Sequence, residues 1–446
     1  MKRLIKNAAV LSVGGVIAKI IGAIYRVPLT NILGAEGIGI YQMVFPFYCI
    51  LLTLSSTGIP AGVAKLTAQG ENALKKSVVI FGVIGLIGAL IMFFGADTIA
   101  SFQGNAAAAP SYRALSPSVF FVSVLSSFRG YYQGKLNMLP TALSQIIEQI
   151  VKLGVGLFLC YSFGVTLADK AALAALAVTA SEIVALGYVL TVGREKQAKS
   201  RQVGTKLLIS TVLPITLCSI TLPVSKAVDS FTAVKLIGGG AAEATANYGL
   251  YSGVVESIVA LPVAVCYSLA VSGLPMVAGT KTVGEKSKHT EKMLIYTLVS
   301  SAAFSVGVFL SARLAIGFLY PRLSAEQTDT AVNLLKISAP SVIGLSVVQT
   351  FSATFIGKGR LHVAPLSLSF GVIVKIVVSF IIVPMDGVGV YGYAISDIFC
   401  YFVATGVFLL YSIRDRKTYQ RKEMQDAVID SGAGREKRRP VRQRFQ

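Results

Sequence analysis

Tryptophan is absent, histidine occurs twice and cysteine five times in 446 residues, and only 14% of the chain is charged. Each shortage removes a class of function. His289 and His362 stand far apart near the ends of apolar runs, and no Cys-x-x-Cys or acidic pair in a loop accompanies them. No metal, cofactor or catalytic group is therefore expected, and the chain does not read as an enzyme. Cys49, Cys160, Cys218, Cys266 and Cys400 all lie inside apolar runs and read as packing residues. The Gly-rich stretch Gly34-Ala-Glu-Gly-Ile-Gly-Ile-Tyr-Gln-Met43 has no strand before it and no Gly-Lys-Ser/Thr, which argues against a phosphate loop. Segments of about ten alternating residues are also missing, so a membrane β-barrel is disfavoured.

What remains is apolar length. The chain is 54% hydrophobic with a mean hydropathy of +0.69, far outside the soluble range. Runs long enough to span a bilayer recur near residues 8–30, 40–60, 78–96, 112–131, 139–162, 171–192, 206–226, 248–272, 293–314, 330–356, 362–384 and 389–412. An all-α polytopic membrane protein of about twelve helices is expected. The first run follows a basic N-terminus like a signal peptide, but it continues through Lys19 and Arg26 without a small-x-small site and is read as a retained helix.

A formal charge of +20 would suggest nucleic acid in a soluble protein. Sorted along the expected topology, however, thirty of the lysines and arginines fall on one side, among them Arg129, Lys135, the 193–206 stretch and the tail after Ile413. Six fall opposite: Arg113, Lys170, Lys226, Lys235, Arg313 and Arg322. The positive-inside rule then puts both termini in the cytoplasm of a plasma-membrane protein, with no nucleic-acid partner. The tail after Ile413 is expected to be disordered and held near anionic lipid headgroups.

Phe128-Arg-Gly-Tyr-Tyr-Gln-Gly-Lys135 followed by Pro140 reads as a tight helical hairpin turning through Gly130 and Gly134. On the second helix, Thr141, Gln145, Glu148, Gln149 and Lys152 share an arc of roughly 80°. Lys152 lies about 18 Å along the axis from Pro140, near the middle of a hydrocarbon layer about 30 Å thick. A polar seam at that depth must face protein or water. The first helix carries Gly15, Lys19, Gly22 and Arg26 on one face. Arg26 could snorkel beside Pro28 and Lys19 pair with an acid such as Glu148; alternatively both face a substrate. Further ionisable groups within runs are Glu182, Glu256, Lys336, Lys375 and Asp397.

The two halves resemble one another. Gly134-Lys-Leu-x-x-x-Pro140 recurs as Gly359-Arg-Leu-x-x-x-Pro365, Gly58-Ile-Pro60 as Gly273-Leu-Pro275, and Gly39-Ile-Tyr41 as Gly249-Leu-Tyr251. Parallel repeats follow, with two six-helix lobes related by a pseudo-twofold along the membrane normal and the site between them. The boundaries read as a lobe over 1–192, a cytoplasmic linker over 193–206, a lobe over 207–412 and the basic tail over 413–446.

The stretch from Gly34 to Met43, Gly58-Ile-Pro60 with Lys65, Phe128-Arg-Gly-Tyr-Tyr-Gln-Gly134 and Asn137-Met-x-Pro-Thr-Ala-Leu-Ser-Gln-x-x-Glu-Gln-x-x-Lys152 resemble the stage V sporulation protein B family of polysaccharide-type exporters. The likeness is dense in the first half and looser in the second. It implies a V of two lobes, alternating access, and export of a lipid-linked oligosaccharide precursor for cell wall, spore cortex or surface polysaccharide. Members of that family usually carry fourteen helices, against twelve runs here. In the related lipid II flippase, cations of the first helix receive a pyrophosphate; Lys19 and Arg26 are similarly placed. The expected substrate-binding residues are Lys19, Arg26, Gln145, Glu148, Gln149, Lys152, Glu256 and Lys375, in a chain acting as a monomer with membrane lipids and the lipid-linked sugar as partners. The alternative within the same superfamily is a cation-coupled multidrug extruder, which needs an exchangeable carboxylate such as Glu148.

Overall fold

The computed structural model describes residues 2–54, 58–193, 203–272, 283–357, 360 and 362–436, and its regular structure is helical. In chain order the helices are α1 (Lys2–Leu52), α2 (Gly58–Ala68), α3 (Leu74–Phe94), α4 (Ala96–Gln103), α5 (Ala109–Gly134), α6 (Leu139–Phe163), α7 (Leu167–Thr191), α8 (Thr205–Ser219), α9 (Thr221–Ile237) and α10 (Ala241–Gly249). A turn of π-helix, Leu250–Val255, leads into α11 (Glu256–Ser272). Then come α12 (Val283–Leu319), α13 (Ala325–Gly357), α14 (Val363–Ile382) and α15 (Tyr391–Glu436). Local chemistry sets several ends. Asn105 accepts from the Ala107 amide ahead of α5, and Thr166 and Asp169 cap α7 reciprocally.

Nine helices among the described residues are long and apolar enough to cross a membrane. The three other expected runs are present but differ in build. Val13–Leu52 is a single apolar stretch of 40 residues, twice one crossing, and Gly34 breaks it with φ 67° and ψ −177°. α5 is rich in serine and is largely buried inside the bundle, so it needs less hydropathy. The run at 206–226 stops at Ile220 and restarts as α9, which extends it to Ile237. Around the outside, Phe94 and Leu310 are each 77% exposed, as lipid-facing side chains must be.

One core gathers Tyr25, Leu29, Tyr112, Leu115 and Ala174 from the first half. Another gathers Tyr248, Tyr251, Leu334 and Tyr393, with Ala35 and Met43 of α1 among them, so the second limb of α1 binds the two halves together. Its crossing with α10 is as close as backbones allow. A Cβ on Gly39 would lie 2.0 Å from the Thr245 carbonyl oxygen, and one on Gly249 would lie 2.8 Å from Gly39 Cα. These are the glycines matched in the sequence repeat.

Two expectations change. The chain does not turn at Gly130 and Gly134: α5 runs through both, because each lets α2 approach, with a Cβ on Gly130 only 2.8 Å from the Pro60 carbonyl oxygen. The turn falls at Leu136, whose φ is 56°. Beyond Ile413 the helix continues to Glu436 instead of ending, since no proline or glycine interrupts residues 414–431; residues 437–446 lie outside the described residues. The 193–206 linker falls mostly outside them too, as does the Gly273-Leu-Pro275 repeat match.

Candidate functional site

A cavity of about 620 Å³ lies between the halves, lined by Gly15, Lys19, Gly22 and Arg26 of α1, Arg129 of α5, Gln145, Glu148, Gln149 and Lys152 of α6, Ser257, Leu261 and Ala264 of α11, and Gln349 of α13. The two polar faces read from sequence thus meet in one place. Small residues let them do so. A Cβ on Gly14 would lie 2.6 Å from Ala142 Cβ and one on Gly22 2.9 Å from Gln149 Oε1, so α1 lies against α6; Gly15 has open space beside it.

The charges are unevenly satisfied. Arg129 Nη2 lies 3.0 Å from Glu148 Oε2, and its Nε donates to Ser144 Oγ at 2.9 Å. Gln149 Nε2 donates to the other Glu148 oxygen at 3.1 Å, so that carboxylate is fully engaged. Arg26 Nη1 donates to Ser257 Oγ at 2.8 Å across the two halves. Lys19 stands 5.5 Å from the centre of the Tyr267 ring, and Lys152 5.7 Å from that of Tyr25. Among the described residues neither ammonium has a carboxylate within salt-bridge distance. A ring face holds a cation weakly, about 0.5–1 kcal/mol at exposed sites, and leaves its hydrogens free to donate. Four cations therefore face one occupied carboxylate. Glu182, buried on the neighbouring α7, has one carboxyl oxygen without a partner.

Sequence reasoning placed Arg129 in a cytoplasmic loop; it is a buried residue near the end of α5 and part of this wall. Neither Lys19 nor Lys152 is the salt-bridge partner of Glu148; Arg129 is, because the α5–α6 turn brings its guanidinium across to α6.

Glu256 and Lys375 lie elsewhere. Lys375 is 1% exposed and sits 2.6 Å from Asp229 Oδ2 and 2.7 Å from Asp397 Oδ1. Lys226 bridges Glu256 and Asp397, the latter at 3.2 Å, and Tyr251 donates its hydroxyl to Asp397. Two lysines and three carboxylates form one network within the second half, buried at Lys375, Asp229 and Asp397 and half-buried at Lys226 and Glu256. The sequence reading puts Lys226 in an outer loop and does not single out Asp229, because the apolar run stops at 226 whereas α9 continues to Ile237. Their i, i+3 spacing in an otherwise apolar stretch is the signal that would have found them. Lys336 is exposed, 5.9 Å from the Phe309 ring centre.

The halves are bonded at the end of the bundle that carries Gly34. Asn31 donates to the Leu319 carbonyl at 2.8 Å, Asn105 to Thr245 at 2.9 Å, and the buried Gln103 to the Met43 carbonyl at 3.0 Å and Ser230 at 2.8 Å. Asn31 follows Arg26 by five residues on α1, so this belt lies on the Gly34 side of the cavity.

Helical halves around a central polar cavity, joined at one end, define a multi-pass membrane protein with a transporter fold. Solved structures share it. A MATE-family multidrug transporter of the MOP superfamily in an inward-facing conformation superposes with a TM-score of 0.77 over 90% of this chain and 96% of that one, at 15% identity. The lipid II flippase MurJ in an inward closed conformation gives 0.68 over 91% and 87%, at 16% identity. The chain belongs to the polysaccharide biosynthesis protein family, whose model matches residues 4–281. Among Bacillus subtilis (strain 168) relatives, it is 29% identical to the membrane protein YabM over 86% of this chain and 75% of that one. It is 28% identical to stage V sporulation protein B over 78% and 64%, and 23% identical to the lipid II flippase MurJ over 84% and 77%.

Proposed function

We propose that the protein is an alternating-access flippase that carries a lipid-linked, pyrophosphate-bearing oligosaccharide precursor across the plasma membrane. The observation that carries this is the sign and availability of the cavity charge. Lys19, Arg26, Arg129 and Lys152 converge on one space, and the two lysines rest on aromatic rings. An anionic headgroup supplies what those ammoniums lack, while the sugar fits the amides of Gln145, Gln149 and Gln349. Gln145 Oε1 is buried without a partner, ready to accept a sugar hydroxyl. The names of the relatives, a lipid II flippase and a sporulation protein of this family, support the substrate class. Multidrug extrusion has less support, since it requires an exchangeable acid in the cavity: both oxygens of Glu148 are bonded, and Glu182, which has an unpartnered oxygen, is not among the residues that line the cavity.

The mechanics we infer are two six-helix lobes, residues 1–192 and 207–412, that rock about the Gly39–Gly249 crossing. Contact between repeat-matched glycines supports an axis of pseudo-symmetry there. With the basic ends in the cytoplasm, the cavity takes its substrate from the cytoplasmic leaflet and the belt at Asn31, Gln103 and Asn105 is the outer gate.

The test is a flipping assay in proteoliposomes with defined lipid-linked diphosphates. Lys19→Ala and Arg26→Ala should each slow transport by roughly tenfold to a hundredfold, the equivalent of one charge-assisted hydrogen bond of about 1.5–3 kcal/mol. Transport of organic cations with no flipping of lipid diphosphates would replace this reading with the extruder.

A further inference from the structure

The π-helical turn between α10 and α11 belongs neither to the cavity nor to the ion network, yet it touches both. The Glu256 amide donates to the Tyr251 carbonyl five residues back, so the hydrogen-bonded ring encloses one residue more than in an α-helix. Such a turn weakens local hydrogen bonding and persists where something holds it. Two sets of contacts hold this one. On the α1 side, Gln42 Nε2 donates to the Ser252 carbonyl at 2.8 Å, and Ser257, which donates to the Gly253 carbonyl, accepts from Arg26. On the other side, Tyr251 bonds Asp397, and Glu256 takes Lys226. Glu256 and Ser257 are consecutive residues: one belongs to the network, the other to a cavity cation.

We propose that the segment Leu250–Val255 couples occupancy of the cavity to the buried ion network. An anion that draws the Arg26 guanidinium from Ser257 weakens the α1-side hold on the π turn, leaving Gln42 to brace it from that side. The turn then relaxes toward α-helical register. A slip of one residue rotates the side chains on one side of it by roughly 100° relative to the other, which parts Glu256 from Lys226. Gly249 anchors the near end: a Cβ there would lie 2.3 Å from the Ala35 carbonyl oxygen, so the helix cannot roll at that point and the change is confined to the residues beyond it. The headgroup thereby loosens the ion network without touching it.

This rests on the reading of the cavity as an anion site, and the experiment separates the two. Farnesyl diphosphate binding to the full chain in nanodiscs is measured by calorimetry, with hydrogen exchange read by mass spectrometry on peptides covering residues 226–229 and 250–257. In the wild type, binding should raise exchange in both peptides. Linkage is reciprocal: if the ligand parts Glu256 from Lys226, weakening that pair must favour the ligand. Glu256→Gln should therefore bind farnesyl diphosphate more tightly. Asp229→Asn removes the same charge from the network, but Asp229 bonds Lys375 and not the π segment, so it should leave the affinity unchanged. Ser257→Ala should show raised exchange at 250–257 before ligand is added and no further response, and Ser257→Thr should restore the response. Failure of the wild type to bind removes the anion reading and this coupling with it. Binding without change at 250–257, or equal tightening by Glu256→Gln and Asp229→Asn, overturns the coupling and leaves the anion site standing.

Discussion

Lys375 and Lys19 are both intramembrane lysines in the sequence, and their replacement by alanine should give opposite results. Lys375 is fully enclosed between Asp229 and Asp397, and its removal strands the buried Asp229 carboxylate and takes one of two cations from Asp397, which keeps Lys226. Lys375→Ala should lower stability by about 3–5 kcal/mol, the usual cost of breaking a buried pair from one side. Lys19 is exposed to the cavity over Tyr267, and Lys19→Ala should cost no more than about 1 kcal/mol while transport falls. Thermal unfolding in detergent beside the flipping assay measures both. The pair Arg129–Glu148 lies between these extremes. Glu148→Ala should destabilise the protein by leaving the buried Arg129 guanidinium unpaired, and adding Arg129→Ala should recover most of the loss; adding Lys19→Ala should recover none.

At the scale of elements, glycines decide where helices meet. Gly39→Ala sets a methyl group 2.0 Å from a backbone oxygen that cannot turn aside, so α1 and α10 must separate. A loss of about 1–3 kcal/mol is expected, the typical cost of overpacking. Gly15→Ala, on the same helix with open space beside it, should leave thermal stability unchanged. Equal melting temperatures for the two variants would contradict the crossing. Helix α5 illustrates the converse. Its serines at 116, 118, 123, 126 and 127 are all buried, and Ser127 shares a hydrogen bond with Ser77 of α3 at 2.7 Å. Surrounded by other helices, it tolerates a polarity that a lipid-facing helix does not.

For the molecule as a whole, orientation and driving force are the open variables. Cysteine at Asp386, exposed between α14 and α15, should react with an impermeant maleimide added outside cells, and cysteine at the exposed Asn137 should not. The reverse pattern would turn the protein over and exchange inner and outer gates. If the cavity loads from the cytoplasm as proposed, an inside-negative potential should accelerate export in proteoliposomes clamped with valinomycin. Two negative charges moving outward gain about 4–5 kcal/mol per 100 mV; if the cavity cations neutralise them, the empty carrier is instead drawn back inward. Rates that ignore the potential would leave a chemical gradient as the driver.

Composition and hydropathy alone determined the all-helical membrane class, most of the span positions and the two polar faces that meet in the cavity, since those signals depend on residues within a turn or two of one another. The repeat even marked Gly39 and Gly249 before their contact was visible. The pairing of charge was a different matter. Arg26 meets a serine 231 positions away, and Lys375 an aspartate 146 positions away, distances over which no periodicity carries information. Sorting cations by side also places Lys226 and Arg129 in loops although each stands near the end of an apolar run, because a cation neutralised by a partner in space still counts as a charge in sequence. Only the packing of helices decided which lysines were locked into the core and which were left facing the cavity.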